Sequence, residues 1–145
     1  MKKISIKDFT LNWRWTDPKY NQFSNDELKK IIPLDTTIAT EYYNEGISFL
    51  EKNSFTPAKD RFHKFENIQA TQFKEVQKWL NSKITIDEII LSWDSNTAII
   101  VNTNLFIEKW DDFCYPSSDD IVILLKTQNS IILYQHSEVF CYAEQ

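Results

Sequence analysis

The chain has 145 residues and a formal net charge of −5, with 42% hydrophobic and 14% aromatic residues. That length suits one domain, and five Trp with ten Phe argue against a disordered chain. No apolar run approaches the roughly 20 residues of a membrane helix, and a single glycine, Gly46, leaves no room for a GxGxxG, P-loop or GxSxG motif.

In chain order, Met1-Lys2-Lys3-Ile4-Ser5-Ile6-Lys7-Asp8 has no long apolar segment behind its lysines, so no secretory signal is expected. Trp13-Arg14-Trp15 reads as an N-terminal strand with alternating burial. Ser24 and Glu27 have capping-box spacing and predict a short helix that stops near Ile32, since Pro33 disfavours helical geometry in the residue before it. Asp35 is the expected cap of a longer helix, with Ile38, Ala39, Tyr42, Tyr43, Phe49 and Leu50 at helical spacing. Leu34 is placed to staple onto Ala39, and Gly46 within the helix suggests close packing against a neighbour. The stretch from Lys52 to Phe65 reads as an exposed loop pinned by Phe55, Phe62 and Phe65. A third helix is expected over about Ile68 to Asn81, with Phe73, Val76, Trp79 and Leu80 on one face.

The second half changes character. Thr85 to Trp93, Thr97 to Val101, Asp120 to Lys126, Ser130 to Tyr134 and Glu138 to Tyr142 read as strands, with turn chemistry at Ser95-Asn96 and Gln128-Asn129. One helix, about Asn104 to Phe113, interrupts them. Ile121 to Leu125 lacks alternation and is expected to be central and covered on both faces. The expectation is a single α+β domain over residues 1–145. A mainly antiparallel sheet of about five strands in the C-terminal half packs one face against the N-terminal helices.

Charge is divided unevenly. Residues 1–83 hold 14 Lys+Arg against 11 Asp+Glu, net +3, whereas residues 84–145 hold 2 against 10, net −8. A half at −8 repels phosphate and attracts basic proteins, so no direct nucleic-acid binding is expected. The densest segment runs from Glu108 to Asp120, where carboxylates alternate with aromatic rings. Glu108, Asp111, Asp112, Tyr115, Asp119 and Asp120 are the candidate partner-binding residues, because aromatics anchor interfaces and carboxylates pair with Arg and Lys.

No catalytic or metal site is predicted. His63 and His136 stand far apart without ligand spacing, and Asp111, Asp112, Asp119 and Asp120 lack calcium-loop spacing. Cys114 and Cys141, each between aromatics, read as buried thiols of a reducing compartment with no residue nearby to activate them. Trp93-Asp94-Ser95-Asn96-Thr97 reads as a hairpin turn. A cytoplasmic chain with no cofactor is expected.

Two resemblances complete the reading. The order of an early Trp, a short helix, Ile32-Pro33-Leu34 and a long helix comes first. Leu91-Ser92-Trp93-Asp94-Ser95-Asn96-Thr97-Ala98 and Asn104-Leu105-Phe106-Ile107-Glu108-Lys109-Trp110-Asp111-Asp112-Phe113 follow. Together these resemble an uncharacterised bacterial family catalogued as a domain of unknown function. By type, a small, acidic, Trp-rich and glycine-poor domain is similar to the immunity proteins of contact-dependent growth inhibition and polymorphic toxin systems. That resemblance implies a non-enzymatic protein that binds and neutralises a cognate toxin domain, expected to be a nuclease. The alternatives are a small enzyme using carboxylates in a helix–sheet cleft, and a generic protein-interaction module.

Overall fold

A computed structural model describes residues 2–145. Its described residues form six α-helices and a seven-stranded antiparallel sheet in the order β1-β4-β3-β5-β6-β7-β2. The strands are β1 (Ile31–Pro33), β2 (Lys64–Gln69), β3 (Glu88–Asp94), β4 (Thr97–Asn102), β5 (Ile121–Leu125), β6 (Ser130–Gln135) and β7 (Val139–Glu144). The five strands expected in the second half are all present and form the middle of the sheet. The two additional strands come from the first half and supply both edges.

Local chemistry explains most of the helices. Ser24 and Glu27 close a capping box over α2 (Asn25–Leu28). The helix ends at Leu28, short of Ile32, because Ile31–Pro33 extends to pair with Ile99–Val101 of β4. Asp35 caps α3 (Thr36–Ile47) through Ile38 N at 3.0 Å. Leu34 and Ala39 are buried in one cluster, as the staple predicts. Phe49 and Leu50 lie past the helix end but still pack beneath the sheet.

Three assignments are corrected. Trp13–Thr16 is a helical turn, α1, rather than a strand; it buries both Arg14 and Trp15. Residues 64–69 form β2, so the third helix, α4 (Phe73–Lys83), starts five residues later than expected. Phe62 is buried and Phe55 half-buried, whereas Phe65 stands on β2 with 44% of its surface exposed, its ring edge-on to Phe62 at 6.4 Å.

Helices cover both faces of the sheet, not one. Ile89, Leu91, Ile121, Ile123, Ile132 and Phe140 point into a core with Trp15 of α1, Val76 and Leu80 of α4, and the helices α5 (Thr103–Glu108) and α6 (Trp110–Phe113). Ile90, Val122, Leu124 and Leu133 point the other way, onto Tyr42 of α3 and Phe49, Leu50 and Phe62 of the segment after it. β5 is fully buried at the centre, as its unbroken apolar run requires. Near Val122, α3 comes so close that a Cβ on Gly46 would lie 2.7 Å from Val122 Cγ1. Glycine at this position is a packing requirement.

Candidate functional site

The predicted helix over 104–113 is two helices. Asn102 caps α5 through Leu105 N at 3.0 Å, and the backbone leaves helical geometry at Lys109 (φ −127°, ψ 36°). In the α6 turn that follows, Trp110 and Phe113 are three apart and share the buried face. Asp111 and Asp112 are thereby turned outward. The anchoring is firm: Trp110 Nε1 donates to Phe73 O at 3.2 Å, and its ring stacks on Phe73 with centroids 5.7 Å apart. Trp15 Nε1 donates to Asp112 O at 3.1 Å.

Beside α6 opens a cavity of about 440 Å³. Asp111, Asp112 and Glu138 contribute its carboxylates, and Tyr20, Phe73 and Tyr115 its aromatic walls. Tyr20 and Phe73 are 53% and 38% exposed. Tyr20, Trp13 and Tyr115 form a row, with ring centroids 4.8 and 5.8 Å apart.

No Lys or Arg forms an ion pair with Asp111, Asp112 or Glu138 among the described residues. Lys109 stands nearby, but its ammonium faces Glu27 at 3.6 Å. Partial burial raises the pKa of Asp111. Burial, reinforced by the like charge of Asp111, raises Asp112 from 3.8 to about 6, while Lys109 and a hydrogen bond from the Asn21 side-chain amide oppose the rise.

The six residues singled out in the sequence divide into three groups. Asp111, Asp112 and Tyr115 line the cavity. Glu108 is exposed at the end of α5 and does not line it; Asp120 holds His136, with Nδ1 at 2.9 Å, on the rim of a turn. Asp119 is buried. It takes both guanidinium nitrogens of Arg14, at 2.6 and 3.0 Å, and accepts from Tyr115 N at 2.8 Å. Arg14 in turn lies 4.0 Å from the centre of the Tyr115 ring. Asp119 therefore acts from beneath, fixing the wall that Tyr115 presents.

Tyr20, Asn21, Phe73 and Glu138 were not foreseen. They converge from two distant loops and the first residue of α4, and nothing in their own neighbourhoods marks them.

Other chemistry is sparse. Among the described residues no group of three or more His, Cys, Asp or Glu side chains is placed to hold a metal ion. Cys114 and Cys141 are buried and free, and burial pushes both thiols up, away from the reactive thiolate. His63 and His136 are exposed. Asp94 closes the β3–β4 turn by accepting from Asn96 N at 2.8 Å, as the turn reading requires. None of the described helices is long and apolar enough to cross a membrane.

Comparison with known proteins finds no matching family model, curated protein or solved structure.

Proposed function

We propose that the cavity beside α6 receives a basic segment of another protein, and that the chain works as an immunity protein that blocks a cognate toxin domain. The carrying observation is the set of outward carboxylates at Asp111, Asp112 and Glu138, free of ion pairs with Lys or Arg and set among exposed rings. Carboxylates between aromatic faces suit an arginine or lysine side chain, which gains ion pairs and ring contacts together. The surrounding half at −8 supplies the long-range attraction that steers such a partner in. The inhibited toxin is, in this reading, a nuclease, because an enzyme that binds phosphate presents the cationic surface this cavity would cover.

The test starts from the genes next to this chain's own and uses any toxin domain that they encode. Co-expression should protect cells, and Asp111→Lys with Asp112→Lys should slow association roughly tenfold at low salt and flatten its salt dependence. Protection by the charge-reversed variant at wild-type strength would refute the surface. A neighbouring gene for a metabolic enzyme, with no basic domain bound, would refute the role.

One observation favours a second reading. Asp112, raised to about 6 beside Asp111 in a cavity, has the character of an acid–base group. A catalysed reaction abolished by Asp112→Asn, without loss of fold, would select an enzyme instead.

A further inference from the structure

The two edges of the sheet are finished differently. Outside β1, Lys3 bridges to Leu34 and Ile4 N donates to Pro33 O at 3.1 Å, so the N-terminal segment covers that edge. Outside β2 there is no such cover among the described residues.

The register with β7 fixes which backbone groups face outward. Ala70 N donates to Glu138 O, continuing the pairing Gln69↔Val139, so Ala70 and Glu138 form a hydrogen-bonded pair. Antiparallel pairs alternate, so Ile68 and Glu66 bond to β7, whereas the N–H and C=O groups of Phe65, Asn67 and Gln69 point away from it. Side chains alternate as well. Phe65 and Asn67 face a wide groove of about 1190 Å³ beside the segment 48–61. Lys64 and Glu66 stand on the opposite face, where Glu66 meets Lys83 of α4 at 2.6 Å.

An exposed edge of this kind invites a further strand. Its charge pattern says which one. In Lys64-Phe65-Glu66 opposite charges flank an aromatic residue that is 44% exposed. A two-fold axis through the Phe65 pair sets Lys64 of each copy opposite Glu66 of the other. It also places the outward N–H and C=O of Phe65 against the same groups of the second Phe65. The Lys64 and Glu66 positions then fall in the closely spaced non-hydrogen-bonded pairs, where side chains approach most.

We propose that β2 pairs with β2 of a second copy of this chain, antiparallel about Phe65, to join two sheets into one. The pairing is short, so the dimer is weak and concentration-dependent. It uses none of the residues that line the cavity beside α6.

Sedimentation of the full-length protein over a concentration series tests this. The wild type should associate reversibly. Lys64→Glu sets Glu against Glu66, and Glu66→Lys sets Lys against Lys64. Each single change disturbs two symmetry-related pairs and should weaken self-association roughly tenfold. Mixing the two variants restores opposite charges at every pair and should recover dimerisation as a heterodimer. The double variant, Lys64→Glu with Glu66→Lys, should recover it alone. Thermal melts confirm that each variant is folded. A wild type that stays monomeric throughout would overturn the proposal. So would a dimer indifferent to the single changes, or a mixture of folded variants that does not associate.

Discussion

Arg14 and Asp119 stand 105 positions apart and are each 5% exposed. Their two parallel hydrogen bonds and the stacking of Arg14 on Tyr115 offset the cost of removing both charges from water. Arg14 Nε is buried without a partner, so the guanidinium already lacks one hydrogen bond and depends on Asp119 for the two it makes to a carboxylate. Asp119→Asn leaves a buried guanidinium uncompensated and should cost about 3–5 kcal/mol in a urea titration. Replacing the pair together, Arg14→Met with Asp119→Leu, should cost far less than the two single changes summed.

The same pair shows the limit of a local reading. Closeness along the chain groups Asp119 with Asp111 and Asp112. Only the fold brings Arg14 to Asp119 and leaves the other two facing out. The outward placement of Asp111 and Asp112 is legible because Trp110 and Phe113 at helical spacing take the buried face.

Among the elements, strong local signals carried over into the structure. The Ser24–Glu27 box, the Asp35 cap and the apolar run of β5 each settle a conformation within a few residues. The misread elements lack such signals. β1 is three residues long and contains a proline, which an edge strand tolerates and a central one does not. β2, Lys-Phe-Glu-Asn-Ile-Gln, is largely polar because one side lies at the rim of the sheet. The alternation of Trp13-Arg14-Trp15 looked like a strand, but the turn buries Arg14 as well as Trp15.

At Gly46, packing against the sheet outweighs helix propensity. Alanine there would ordinarily improve the helix by about 1 kcal/mol. With Val122 Cγ1 at 2.7 Å from the added carbon, overpacking of about 1–3 kcal/mol prevails and Gly46→Ala should destabilise. Adding Val122→Ala opens the space, so in a double-mutant cycle the pair should cost measurably less than the sum of its parts.

For the molecule as a whole, the charge division survives folding only in part. Arg14 and Lys64, from the first half, neutralise Asp119 and Glu144. Lys109 and Lys126, the only basic residues of the second half, turn instead to Glu27 and Glu45. Asp94 lies at the far end of β3 from Asp87 and Glu88, so some of the acid is dispersed. What remains concentrated is the carboxylate group beside α6, and its titration links stability to the proposed binding.

Asp112 is held near 6 in the folded chain against 3.8 when unperturbed. A raised folded pKa means that the native state takes up a proton before the unfolded chain does. Its contribution is therefore fully present below about pH 4 and is lost as pH rises through 6. Lowering pH from 7 to 5 should raise the melting temperature by this group's contribution. Asp112→Asn should raise the melting temperature at pH 7 and remove that part of the pH response. Binding of a basic partner runs the opposite way, since protonation removes one of the attracting charges. Association with the proposed basic partner should weaken between pH 7 and 5 in the wild type and change less in Asp112→Asn. Thermal melts and surface-binding rates on the same buffers separate the two effects. A variant whose melting temperature and association rate keep the wild-type pH profile would show that Asp112 titrates elsewhere.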